Sequence, residues 1–166
     1  GKQLQMIEEN QTLSNNLKGF NLPTKEFSVL KTEKGIELNM WMMKPKDFDA
    51  NKKYPVFMFQ YSGPGSQQVN NDWNSGDDYW FASLTQKGYI VACVDGRGTG
   101  FKGAAFKKVT QKELGKYEVI DQIDAAKVLG SYSFVDKSRI GIFGWSFGGF
   151  MASNCILKGN DVFKMA

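Results

Sequence analysis

Histidine is absent from the 166 residues of this chain. Imidazole is the side chain that most often accepts a proton near neutral pH, so these residues contain no general base of that kind. Any catalytic role assigned to the chain must therefore use another proton acceptor or obtain one from outside these residues.

Cysteine is also scarce. The two cysteines, Cys93 and Cys155, fall in an apolar strand pattern and in a helical pattern. Such positions are more typical of buried thiols than of a disulfide or a pair of metal ligands. We therefore expect no metal site.

The chain has no long apolar run and no block of like charges. No run approaches the roughly 18 residues that a membrane span needs, and Gly1-Lys2-Gln3 does not open a signal peptide. The net charge is +4, but the lysines are scattered rather than gathered on one segment. This pattern argues against nucleic-acid binding and predicts an ordinary globular domain without a membrane segment.

The hydrophobic pattern alternates between strands and helices. Period-two alternation over 26–43, interrupted at 33–35, predicts a β-hairpin, and apolar runs predict strands at 54–61, 89–95 and 139–144. Helical patterns cover 77–88 and 112–130. This order predicts an α/β fold with a mainly parallel sheet, an entering antiparallel hairpin and helices on both faces. Binding chemistry is then expected at the carboxyl ends of the strands.

Residues 144–148, Gly-Trp-Ser-Phe-Gly, match the pattern G-x-S-x-G. They follow a predicted strand and precede a predicted helix, which is the context of a nucleophilic serine on a strained turn. Such a turn needs almost no side chain two residues before and two residues after the serine, and Gly144 and Gly148 meet that requirement. The alternative is a glycine-rich connection in which Ser146 is incidental.

Residues 98–103 spell G-x-G-x-x-G after another strand. A dinucleotide site would also need an acidic residue at the end of a second strand, whereas Glu113 and Glu118 fall in a helical pattern. We therefore predict no cofactor. A loop with unusual backbone angles, in which Asp95 and Arg97 form local hydrogen bonds or an ion pair, accounts for the glycines.

A third turn, residues 60–69, is rich in glycine and contains Pro64. Tyr61 lies where this turn leaves the strand. It is either a packed aromatic residue or a hydroxyl donor that faces a site, and the residues alone leave both interpretations open.

Together these stretches resemble one known family. The segments YSGPGSQ, VDGRGTGFKG, YEVIDQIDAAK, FVDKSRIGIFGWSFGG and VFKMA, in this order and spacing, are similar to the catalytic domain of the prolyl oligopeptidase family, specifically its dipeptidyl peptidase IV branch. Phe147 stands where that branch often has tyrosine, and Gly65 also departs from some members.

The resemblance implies the N-terminal half of an α/β-hydrolase domain over 23–166, truncated after the helix that follows the nucleophile, with 1–22 as the end of a preceding β-propeller and its linker. It also implies the roles of the site residues. Ser146 would be the nucleophile, and the Phe147 backbone N–H and the Tyr61 hydroxyl would be the oxyanion donors. Gly144, Trp145 and Gly148 would support the turn.

The implied activity is acyl transfer that releases N-terminal X-Pro or X-Ala dipeptides from peptides. The catalytic Asp and His would follow Ala166, so the chain alone should be inactive. Its partners would be the substrate with penultimate proline, and either the missing C-terminal half of the domain or a second copy bound at the exposed sheet edge. A bacterial source would imply a periplasmic or secreted protein. The alternatives are another α/β-hydrolase, such as an esterase or acylaminoacyl peptidase, and a non-catalytic interaction module.

Overall fold

A computed structural model of the chain describes residues 4–20, 22–72 and 76–166. The described elements form a mixed sheet with helices on both faces. In chain order they are α1 (Gln11–Leu17), a 3-10 turn (Lys18–Phe20), β1 (Glu26–Lys31), β2 (Glu37–Met43), β3 (Tyr54–Phe59), α2 (Gly76–Gln86), β4 (Ile90–Asp95), α3 (Ala104–Lys108), α4 (Tyr117–Gly130), β5 (Val135–Phe143) and α5 (Phe147–Lys158).

The order of strands in the sheet is β1-β2-β4-β3-β5. β1 and β2 form the predicted antiparallel hairpin, and β2 pairs antiparallel with β4. β3 lies between β4 and β5 and is parallel to both. The chain thus leaves β3 for one neighbour and later returns to its other side, and ligand crevices form outside the carboxyl ends of strands at such a reversal.

The two faces of the sheet bury two separate cores. All six residues of β4 are buried, so this strand is covered on both sides. On one face, Met58 and Val94 pack in a core that includes side chains of α4 and α5. On the other face, Phe59 and Cys93 pack with Phe81 of α2. The predicted α/β arrangement with helices on both faces is confirmed.

The predicted start of the second helix is wrong. The pattern predicts a helix over 112–130, whereas α4 begins at Tyr117. Lys112 and Gly115 have φ angles of 65° and 79°, and a right-handed helix cannot contain this left-handed backbone. The predicted end of the helix, at Gly130, is correct.

The last predicted strand is longer than its apolar run, and one helix was not predicted. β5 begins at Val135 rather than at residue 139 because Val135 already pairs with Tyr54 of β3. The strand ends at Phe143, so Gly144 belongs to the following turn. The five-residue helix α3 is too short to produce a helical period in the sequence.

The closing segment of the chain adds to the sheet. Gly141 and Met165 form a parallel bridge. The Ile142 N–H donates to the Met165 carbonyl oxygen at 2.9 Å, and the Lys164 N–H donates to the Ile140 carbonyl oxygen at 2.8 Å. Residues 164–165 therefore lie along the outer edge of β5.

The first segment contains the helix α1 and a 3-10 turn, and its side chains are mostly exposed. The assignment of 1–22 to a preceding domain and linker stays a prediction, and residues 1–3 and 21 lie outside the described part of the chain. Within the described ranges, every helix is too short or too polar to cross a membrane.

Both thiols are free and buried, and this predicts their reactivity. Burial raises the pKa of Cys155 to about 12 and also raises the pKa of Cys93, because a thiolate is disfavoured away from water. We expect Ellman's reagent at pH 8 to label neither thiol in the native chain and both in urea. Rapid labelling without denaturant would contradict the packing of β4 and α5.

Candidate active site

The turn between β5 and α5 presents the hydroxyl of Ser146. Ser146 has φ 56° and ψ −121°, a conformation that residues other than glycine rarely adopt. Ser146 is also the N-cap of α5, but its side chain makes no capping hydrogen bond. The side-chain oxygen of an N-cap serine usually accepts a hydrogen bond from one of the first helical N–H groups. Here the exposed hydroxyl stays available on the outside of the turn.

Close backbone packing explains the two glycines of the motif. A Cβ at Gly144 would lie 2.5 Å from the Gln60 carbonyl oxygen and 2.6 Å from the Gly148 carbonyl carbon. A Cβ at Gly148 would lie 2.7 Å from the same Gln60 oxygen. These distances are shorter than real Cβ contacts, so the turn can approach β3 this closely only with glycine at both positions.

Tyr61 lies at the end of the neighbouring strand. The Gln60 N–H donates to the Phe143 carbonyl oxygen at 3.0 Å, which extends the pairing of β3 and β5 by one step beyond β3. Tyr61 is the next residue and is half-buried, and its ring centroid lies 6.4 Å from that of Phe147. The structure thus brings Tyr61 next to the residue that follows Ser146.

The loop after Tyr61 is fixed by hydrogen bonds to the end of β4. Ser62 is buried and has φ 60°, a second left-handed residue close to the turn. The buried Asp95 carboxylate accepts the Gln68 N–H at 3.0 Å and the Val69 N–H at 2.8 Å. Burial raises the pKa of Asp95, and these two backbone donors oppose that shift. Asp95 therefore supports the loop that carries Tyr61.

The glycine-bearing loop of residues 96–103 packs against the Tyr61 loop. The Gly65 N–H donates to the Gly98 carbonyl oxygen at 2.8 Å, and the Gly100 N–H donates to the Ser66 carbonyl oxygen at 2.9 Å. Gly98 and Phe101 have φ angles of 98° and 66°, so the unusual backbone predicted for this loop is present.

The hydrogen bonds or ion pair predicted for Asp95 and Arg97 are formed with partners distant in the sequence. Asp95 accepts the backbone N–H groups described above. Arg97 pairs with Asp121 of α4, with Nη2 at 2.6 Å from Oδ1. The Arg97 backbone N–H also donates to Asp121 at 2.7 Å. These hydrogen bonds raise the pKa of Arg97. This ion pair attaches the loop of residues 96–103 to α4.

The first turn of α5 supplies a backbone donor beside Ser146. Phe147 is the first residue of this helix, so its N–H has no carbonyl acceptor within the helix. The positive end of the helix dipole also favours negative charge at this position. An anionic oxygen formed next to Ser146 would therefore meet a suitable donor.

Comparison with known proteins fits this geometry. The profile of the prolyl oligopeptidase family matches residues 75–166, more than half of the chain. The chain belongs to the prolyl oligopeptidase family. The fold is similar to the crystal structure of Porphyromonas gingivalis dipeptidyl peptidase 4, with a TM-score of 0.91 and 47% identity over 98% of this chain and 23% of that one.

Curated relatives in the family give the same result. A probable dipeptidyl-aminopeptidase B of Podospora anserina is 47% identical over 87% of this chain and 15% of its own length. The dipeptidyl aminopeptidase B of Saccharomyces cerevisiae is 43% identical over 95% of this chain and 20% of its own length. The chain thus spans a fifth or less of the length of these two relatives.

The structure brings the sequence-predicted residues to one edge of the sheet. Ser146, Phe147 and Tyr61 lie at the carboxyl ends of β5 and β3, and the catalytic roles assigned to them stay predictions. Sequence reasoning missed Gln60 and Ser62, which flank Tyr61. Their signal was weak, because a polar residue just after an apolar strand is common in any loop.

Gly144 in the serine turn and Gly149 in the first turn of α5 allow a matched test of the turn. Gly144→Ala forces a Cβ into backbone atoms at 2.5–2.6 Å, whereas Gly149→Ala meets only the Gly144 carbonyl oxygen at 3.5 Å, an ordinary contact. We expect Gly144→Ala to lower the free energy of unfolding by about 2 kcal/mol or more. Gly149→Ala should be neutral or stabilising by up to about 1 kcal/mol, since alanine favours a helix. Urea unfolding of both variants measures this, and equal effects would contradict the described turn.

Proposed function

We propose that this chain is the nucleophile-bearing part of a serine exopeptidase that releases X-Pro or X-Ala dipeptides from the amino terminus of peptides. The observation that carries the proposal is the exposed Ser146 on its strained turn next to Tyr61. The names of the relatives, dipeptidyl aminopeptidase B and dipeptidyl peptidase 4, support the class of substrate.

The proposed reaction is acyl transfer in two steps. Ser146 Oγ attacks the carbonyl carbon of the second residue of the peptide. The Ser146 hydroxyl proton passes to a base and then to the leaving amine. The carbonyl oxygen becomes an oxyanion, to which the Tyr61 hydroxyl and the Phe147 N–H donate. Water then attacks the dipeptidyl ester and restores the Ser146 hydroxyl.

We propose that the base is a histidine from outside these residues, because the chain contains no histidine. In hydrolases with this serine turn, the acid and the histidine follow the serine along the chain. Loss of the base alone lowers turnover by about a million-fold in measured triads, and the oxyanion donors retain about 10³-fold over water. We therefore propose that catalysis requires a longer protein that contains this segment.

The test uses that full-length protein. We expect it to cleave a Gly-Pro fluorogenic substrate and to react with a fluorophosphonate probe, and we expect Ser146→Ala to abolish the labelling and lower kcat by about a million-fold. The 166-residue chain alone should show no turnover above background. Labelling without Gly-Pro cleavage would favour another hydrolase, and absence of labelling would favour a non-catalytic module.

Besides the peptide substrate, we infer a protein partner at the outer edge of β5. Phe143 and Met165 at this edge are 37% and 53% exposed, and the Trp80 ring beside Phe143 is 40% exposed. An open edge with apolar side chains readily pairs with another chain. We propose that further strands of the same domain cover it, and that a second copy replaces them when only these residues are present.

Light scattering of the isolated chain tests whether a second copy binds at this edge. We expect a mass above the 18.6 kDa of the monomer. Met165→Lys should reduce association, because a lysine on an edge strand disfavours pairing with another edge. A stable monomer of the unmodified chain would contradict the inference.

A further inference from the structure

Gln60 connects the strand that carries Tyr61 to the helix that carries Phe147. Its side chain is buried, with 1% of its surface exposed. Its Nε2 donates to the Gly148 carbonyl oxygen at 2.8 Å, across 88 positions of the chain. The orientation of this amide is determined, because a carbonyl oxygen accepts and only the NH₂ group of glutamine donates.

The backbone of Gln60 contacts the same turn. Its N–H donates to Phe143, the last residue of β5, and its carbonyl oxygen leaves no room for a Cβ at Gly144 or Gly148. Gln60 therefore touches the residues on both sides of Ser146, while Tyr61 is its covalent neighbour.

The hydrogen bonding of Gln60 is incomplete. Among the described protein atoms, Gln60 Oε1 has no hydrogen-bond partner. A buried acceptor without a partner costs about 1–3 kcal/mol, and a methionine of similar volume would avoid this cost. The cost of the unpartnered Oε1 therefore offsets what the Nε2 bond contributes to stability.

A second buried glutamine fixes the other side of Tyr61. Gln122 of α4 donates through Nε2 to the Val94 carbonyl oxygen at 2.8 Å and to Ser62 Oγ at 3.3 Å. Ser62, the left-handed residue after Tyr61, is thus held to the end of β4. On the other side, Gln60 joins Tyr61 to α5 through its side-chain bond to Gly148 and its backbone contacts with the turn.

We propose that Gln60 is a positioning residue that holds the Tyr61 hydroxyl and the Phe147 N–H at the separation an oxyanion requires. This inference rests on the proposed function. Since the oxyanion exists only in the transition state, loss of the Gln60 bond should affect the chemical step more than substrate binding.

The test compares variants of the full-length protein on a Gly-Pro substrate. Gln60→Met should lower kcat by 10-fold to 100-fold and leave KM within about 3-fold, less than the roughly 10²–10³-fold that loss of a donor costs. Affinity for a Gly-boroPro inhibitor, whose boronate forms a tetrahedral adduct with Ser146, should fall in parallel with kcat. Affinity for the product dipeptide Gly-Pro should not change.

A matched control separates positioning from stability. Thr85 is buried in α2, and its Oγ1 donates to the Ala82 carbonyl oxygen at 2.8 Å on the other side of the sheet. Thr85→Val removes a buried hydrogen bond without contact with the turn and should leave kcat within 2-fold. In a Tyr61→Phe background, Gln60→Met should cost less than 3-fold, because the donor that it positions is already absent.

The outcomes distinguish the two levels of the proposal. A folded Gln60→Met protein with kcat within 2-fold of wild type, or with equal losses in boronate and dipeptide affinity, overturns the positioning role. Absence of Ser146-dependent cleavage in the wild type overturns the proposed function instead. If Gln60→Met does not fold, Gln60→Glu keeps the volume, and its carboxyl group can donate to the Gly148 carbonyl only when protonated. The kcat of this variant relative to wild type should therefore fall as the pH rises, and a ratio that does not change with pH overturns the positioning role.

Discussion

The left-handed backbone of Ser146 is the conformation in the serine turn that the surrounding packing must enforce. A serine in this conformation costs about 1–3 kcal/mol and persists only where its surroundings enforce it. Here the Gln60 carbonyl oxygen packs against Gly144 and Gly148, so both ends of the turn lie against the residue that follows β3. The order of the strands, with β3 beside β5, is what makes this contact possible. The same contact sets Tyr61 next to the turn.

Three buried carboxylates near the site form hydrogen bonds or ion pairs that fix loops. Asp95 accepts backbone N–H groups of the Tyr61 loop, and Asp121 holds Arg97 in the neighbouring loop. Glu118 accepts the Gly115 N–H at the start of α4, and burial raises the pKa of its carboxyl group. Each of these carboxylates ties irregular backbone to a regular element. Loops fixed in this way can carry site residues with the precision that strands have.

The sequence predicts the centre of the sheet well because the buried strands are continuous apolar runs. It also predicts the strained backbone of Ser146, since such a turn requires glycine at two fixed positions. It does not predict where β5 and α4 begin, because pairing with Tyr54 and the left-handed Lys112 decide these points. The bond from Gln60 to α5 joins residues 88 positions apart, and no local pattern encodes such a contact.

The contacts that shape the serine turn are independent of the group that would accept the Ser146 proton. The contacts that shape the serine turn join residues 60–61 to residues 143–148, all within the described ranges, and none of them needs an imidazole. Oxyanion donors act through their position before the reaction starts, whereas a base must exchange protons during it. Under the proposed function, the chain positions its oxyanion donors by its own packing, and the absence of histidine affects only the base. This separation explains how a segment that spans a fifth or less of these relatives still contains a fully formed serine turn.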